Sequence, residues 1–343
     1  MLRFAAWLIT RPAFLCGVLA FFVVTLSWFW MSTMLGRPGP HTDDRIVIIT
    51  AGSGHAKVRW DLQRAGVLNH MYHYDVARML AQRNFVPKAG EFLLPAEASL
   101  REIIDILHKG ISLQRRLTIV EGQTSAEIIA ALDAMPTLTG DLYPTVDEGS
   151  LYPDTYFYTY ATARVDIISR MQDKMQNILT DAWASKQADL PFRTPYEALI
   201  LASVIEKEAG SKADRQLVAA VLVNRMKRGM RLQSDPTVRY GIDVETDRPI
   251  SKADLQRKTP WNTYMITGLP KTPICNPSLN SLEAALNPAN SDFLYFVSDG
   301  FGGLRFAKTL DVHNKNVRLF RANKAQNPNK KSKGPFVKVR RRM

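Results

Sequence analysis

Three consecutive charged residues, Glu206, Lys207 and Glu208, close a segment that is otherwise apolar, ALILASVI at 198–205. At helical spacing, Leu199, Ile200, Leu201, Val204 and Ile205 cover almost the whole circumference, which is the pattern of a buried helix. Carboxylates in its last turn meet desolvation and the negative end of the helix dipole, and both raise a carboxyl pKa. That is what a general acid working near neutral pH requires. Glu206 and Glu208 lie about 200° apart around the axis and cannot act as a facing pair. One turn back, Glu206 has Ala202 and Ser203, whereas Glu208 has the larger Val204 and Ile205. The pattern therefore favours Glu208 as the protonated acid. The competing reading is a pair of solvated charges at a frayed helix end.

Several segments must position that helix. Thr194-Pro195-Tyr196-Glu197 is a helix start, with Thr as N-cap, Pro at N1 and Glu at N3. Asp214–Lys227 reads as a second helix, and Asn224 follows Leu217 and Val221 on its apolar stripe. A dense polar loop is expected over Arg231–Gly241, bringing Gln233, Asp235, Thr237 and Tyr240 as supporting or substrate-binding candidates. Asn262 and Tyr264 join them from Trp261–Tyr264, and Glu206 and Asn224 from the two helices. Aromatic rings beside amides and hydroxyls suit sugar rings, which have apolar faces and polar edges. Taken singly, each stretch is also ordinary turn chemistry. His70 and His73 lack a third ligand at metal spacing, so no metal is expected, and no nucleotide or hydrolase motif implies a cofactor. His313-Asn314 reads as structural or supporting.

The 343 residues carry 45 Lys+Arg against 32 Asp+Glu, a net charge of +13. Nine of the bases and no acid lie in Arg321–Met343, and Arg3 and Arg11 flank an uncharged N-terminal run. Without these the balance is 34 to 32, so the body is nearly neutral and no nucleic-acid partner is expected. Residues 12–36 are free of charge and long enough to cross a bilayer. The preceding arginines place residues 1–11 in the cytoplasm and the remainder outside, in an inner-membrane, single-pass arrangement. A buried core helix and a cleaved signal peptide are the alternatives. Cys16 falls inside this run and Cys275 far outside it, so no intrachain disulfide is expected.

A Pro/Gly/polar linker follows at 37–44. Strands are expected at 45–51, 90–94 and 117–120, and helices at 58–65, 74–82 and 99–107, with Ser99 and Glu102 forming a capping box. Together they make a small α+β module, 45–120. Beyond it come a helix at 124–132, a long amphipathic helix at 164–188 and the acid-bearing helix. The expected fold is thus α+β: one transmembrane helix, the small module, a mixed α/β catalytic domain over 121–322, and a basic disordered tail at 323–343.

The order of motifs resembles the YceG (MltG) family of membrane-anchored endolytic murein transglycosylases. The resemblance rests on LASVIEKEAG at 201–210, VAAVLVNRMKRGMRLQSDPTVRYG at 218–241, NTYMITGLP at 262–270, SLEAALNP at 281–288, LYFVSDG at 294–300 and His313-Asn314. VEG at 120–122 and LYPDTY at 151–156 also fit. It implies that Glu208 is the catalytic residue, that the module over 45–120 is LysM-like, and that the chain cleaves the MurNAc–GlcNAc β-1,4 bond of peptidoglycan to leave 1,6-anhydroMurNAc ends. The implied partners are glycan strands, the membrane and, as a further candidate, peptidoglycan synthases. A hydrolytic muramidase, a non-catalytic peptidoglycan-binding scaffold and a nucleic-acid binder with a basic surface on the folded body are the rival readings.

Overall fold

The computed structural model describes residues 2–81, 85–141, 145–242 and 248–326. The chain folds as two units, 1–115 with 158–161, and 116–157 with 162–343. The division falls at 115/116 rather than at the expected 120/121.

The first unit opens with helix α1, Leu2–Leu35, whose Cys16–Leu35 stretch is apolar and long enough to cross a membrane. Strands β1 (Arg45–Ile49) and β2 (Gly90–Leu94) pair antiparallel, with Arg45 opposite Leu94 and Ile49 opposite Gly90. Their alternation sends Val47, Ile49, Phe92 and Leu94 into a core closed by helices α2 (His55–Arg64), α3 (Met71–Ala81) and α4 (Leu100–Lys109). The Ser99/Glu102 capping box opens α4 as expected, and Gly110 ends the helix in the left-handed region at φ +66°. Segment 37–44 is not a free linker. Gly39 N–H donates to the Glu97 carbonyl (3.0 Å), and Glu97 N–H to that of His41 (2.8 Å). Leu35 itself lies in the module core.

Strand β3 (Arg115–Thr118) pairs with β4 (Thr155–Tyr158), and in the second unit α5 (Ser125–Asp133) starts on the Thr124/Glu127 capping box. Helix α6 spans Arg164–Ala184, ending before the expected residue 188 because Ser185 leaves helical geometry and its hydroxyl turns back onto the Ala182 carbonyl (2.9 Å). Helix α7, Pro195–Glu208, carries the expected Thr194/Glu197 box and is buried continuously from Ala198 to Glu206. It packs against α6, α8 (Lys212–Lys227), α9 (Asp235–Ile242) and α11 (Leu279–Leu286), which bury its whole circumference. Short α10 (Lys252–Gln256) precedes the 261–270 loop. The hairpin β5 (Tyr295–Ser298) and β6 (Leu304–Ala307) leads into α12, Leu310–Gln326.

Two expectations are corrected here. The polar stretch 231–241 is a loop only to Ser234, because Ser234-Asp235-Pro236 begins a helix and the Thr237 N–H and hydroxyl both donate to the Ser234 carbonyl. Residues 323–326, expected in a disordered tail, continue α12; the rest of that tail lies outside the described residues.

Candidate active site

The two glutamates of α7 have opposite environments. Glu206 is 5% exposed and lies at the N-terminus of α11, where it accepts from the Ser278 N–H (2.9 Å) and hydroxyl (2.6 Å). Arg215 of α8 bonds its other oxygen at 3.0 Å. Burial alone would raise its pKa, but the Ser278 hydrogen bonds and the Arg215 charge outweigh it, and Glu206 stays below the usual carboxylate range. The expected rise for both carboxylates therefore fails at Glu206, which is a charged strut between helices.

Glu208 behaves as expected. Partly exposed at the helix end, it is in no ion pair among the described residues; its Oε1 accepts a 2.6 Å hydrogen bond from the Ser234 hydroxyl. Burial pushes its pKa up to about 7, the Ser234 bond works against this, the Asp235 charge adds to it, and Arg225 opposes it. At neutral pH a substantial fraction of Glu208 is thus protonated.

Ser234 is held by an interlocked pair of polar segments. Its N–H donates to Thr263 Oγ1 (2.9 Å), its carbonyl accepts from Thr237 Oγ1 (2.6 Å), and the two threonine hydroxyls share a 2.8 Å bond. Gln233 N–H donates to the Thr263 carbonyl (3.1 Å) from a left-handed backbone, φ +54°. That conformation costs a non-glycine residue about 1–2 kcal/mol. It is held by these bonds, and it directs the chain from exposed Gln233 into buried Ser234. Tyr264 donates to Asp235 Oδ1 (2.7 Å), and burial together with that carboxylate raises the phenol's pKa.

The remaining candidates separate by what they touch. Gln233, Asp235 and Tyr264 join Glu208 where side chains reach solvent. Thr237 and Asn262 are fully buried; the Asn262 amide donates to the carbonyls of Asp254, Leu255 and Arg257 and organises its own loop. Asn224 donates to the Ser291 and Phe293 carbonyls (2.7 and 3.1 Å) and tethers the approach to β5. Tyr240 meets Trp261 edge to face at 5.6 Å and donates to Glu148 Oε2 (3.2 Å).

Glu148, absent from the expected site, has its pKa raised by burial, and it also accepts from Ser125 N–H (2.9 Å) and Gly149 N–H (3.2 Å). Gly149 must be glycine: at φ +82°, a Cβ there would stand 2.7 Å from that of Pro273. Ser234 was legible only as part of QSDPT, since a lone serine in a polar run carries no signal of its own.

A partly exposed carboxyl with a pKa near neutrality, beside a serine hydroxyl, an aspartate and a tyrosine, is able to give and take a proton. The family model described as the YceG-like family matches residues 47–319, and the chain belongs to that family. It is 40% identical over 168 residues to an endolytic murein transglycosylase of Bacillus subtilis, covering 49% of this chain and 46% of that one. The corresponding Streptococcus pneumoniae D39 protein is 28% identical over 319 residues, covering 78% of this chain and 57% of the relative. The chain thus spans about half the length of these relatives. A crystal structure of a YceG-like protein from Listeria monocytogenes aligns with 80% of this chain and 99% of its own, at 29% identity and a TM-score of 0.45.

Proposed function

We propose that this chain is a membrane-anchored endolytic lytic transglycosylase acting on peptidoglycan. The observation that carries the reading is Glu208: one carboxyl with pKa about 7, hydrogen-bonded to Ser234, while its neighbour Glu206 is committed to Arg215 and Ser278. Glu208 donates its proton to the glycosidic oxygen as the bond to MurNAc C1 breaks, freeing the 4-hydroxyl of GlcNAc. The carboxylate then takes the proton of the MurNAc 6-hydroxyl while O6 bonds to C1. The acid is regenerated, no water is consumed, and a 1,6-anhydro end remains. Because the substrate supplies the nucleophile, the second carboxyl group of an ordinary glycosidase is unnecessary.

In this reading Gln233, Asp235 and Tyr264 face the glycan, Tyr240 with Trp261 forms an aromatic wall, and Thr237 and Asn262 hold the segments in place. Residues 45–120 serve as a LysM-like module. The N-terminus is cytoplasmic, and the site acts on new strands close to the membrane and their synthases. Full-length protein in detergent, incubated with sacculi, is expected to release fragments with anhydro ends by mass spectrometry, and Glu208→Gln none. Reducing MurNAc ends would identify a hydrolase instead, and absence of any product from wild type a scaffold.

A further inference from the structure

Arg225 of α8 is a cation in an unusual position. It is only 8% exposed, and among the described residues no carboxylate oxygen lies within ion-pair distance. Its hydrogen bonds go to neutral oxygens: the Leu294 carbonyl (2.6 Å), those of Leu232 and Arg231 (2.8 and 3.3 Å), and Gln233 Oε1 (3.4 Å). The guanidinium lies 5.2 Å over the Tyr295 ring, which itself stacks on His313 at 5.2 Å. A buried charge is costly unless paired. Here the charge is solvated by carbonyls and a π face, so it remains unneutralised.

Its contacts end one residue before Ser234, the group that touches Glu208. We propose that Arg225 is the positioning residue of the acid site, pegging the backbone that presents Ser234 and holding a fixed positive charge toward which the Glu208 carboxylate forms.

Helix α7 contains its own comparison. Glu206 makes direct contact with Arg215 and is held ionised, which would disable an acid catalyst. Glu208 is joined to Arg225 through the 232–234 segment and keeps its proton near neutrality, while the Arg225 charge favours the anion once the proton has left. The other titratable groups facing Glu208 are Asp235 from α9, which raises its pKa, and Tyr264 from the 261–264 loop, which remains a neutral phenol. Tyr295 lies under the arginine and stacks on His313, whose pKa is lowered by burial and, second, by the Arg225 charge.

The proposal rests on Glu208 being the general acid. The test compares full-length wild type, Arg225→Lys and Arg225→Gln on sacculi, measuring kcat, KM and the alkaline limb of the pH profile. Arg225→Gln is expected to move that limb up by roughly half to one pH unit and lower kcat at least about tenfold. Arg225→Lys keeps the charge but cannot bridge the carbonyls, so kcat falls roughly tenfold with KM within about threefold and the limb unmoved.

A folded Arg225→Gln whose limb coincides with wild type overturns the electrostatic role. Should Arg225→Gln not fold, an Arg225→Lys protein with unchanged kcat, or with only KM altered, overturns the positioning role. Failure of the underlying reading looks different: wild type then yields no anhydro products, or Glu208→Gln remains active.

Discussion

Replacing Glu208 by Gln should abolish turnover and stabilise the fold. With a folded pKa of about 7 against an ordinary 4.5, the folded protein binds the Glu208 proton more tightly than the unfolded chain does. A raised carboxyl pKa therefore gives a term that is absent below 4.5, grows unfavourable as pH rises, and is complete above 7. Linkage makes the penalty about 1 kcal/mol at pH 5 and about 3 kcal/mol at pH 8. Gln keeps an oxygen for the Ser234 hydroxyl but does not titrate. The variant should therefore melt higher than wild type by roughly 2–4 °C at pH 5 and 6–12 °C at pH 8, at about 2–4 °C per kcal/mol. Scanning calorimetry or fluorimetry of the full chain in detergent measures this directly. Other groups titrate equally in both proteins, so the pH dependence of the difference isolates this carboxyl. A melting-temperature difference that is the same at pH 5 and pH 8 would refute the assignment of a raised pKa to Glu208.

Four other outcomes are expected, three from the same geometry and one from the charge of the C-terminal sequence. Asp235→Asn removes a charge that raises the Glu208 pKa, so the alkaline limb of activity should move to lower pH, while Asn still accepts from Tyr264. Ser234→Ala removes a bond that favours the carboxylate, so the limb should move up as kcat falls by about tenfold to a hundredfold. Arg215→Met strands the buried Glu206 carboxylate and should cost about 3–5 kcal/mol by denaturant unfolding. That loss should shrink as pH falls, because Glu206 has a depressed folded pKa and its stabilising contribution is lost on acidification. Deleting residues 327–343 removes seven of the basic residues and should weaken binding to anionic vesicles at low salt, with no effect on the pH profile of cleavage.

How much of this was legible beforehand depended on the range of the interaction. The capping boxes at Ser99, Thr124 and Thr194 formed as the local sequence required, because a cap involves only residues three apart. The fully buried α7 followed from its apolar circumference, and the uncharged run after Arg11 became part of a helix long enough to cross a membrane. Local reasoning failed where polar residues take partners far along the chain. Segment 231–241 looked like a polar loop, yet the Ser234 N–H and the Thr237 hydroxyl lock onto Thr263 and its second half is helical. Segment 37–44 looked like a linker, yet it docks on Glu97 and its neighbours.

The Glu206-Lys207-Glu208 triplet marks the boundary most clearly. The sequence alone determined that two carboxylates end a buried helix on different sides of its axis, since helical geometry and hydropathy require nothing more. It even favoured Glu208, through the bulk of Val204 and Ile205. Tertiary structure decided their chemistry. Ser278 and Arg215 arrive at Glu206 from α11 and α8, and Ser234, Asp235 and Arg225 surround Glu208 from α8, α9 and the turn between them. A carboxyl pKa is set by the charges and donors within a few ångströms, and these come from chain segments up to 72 residues away.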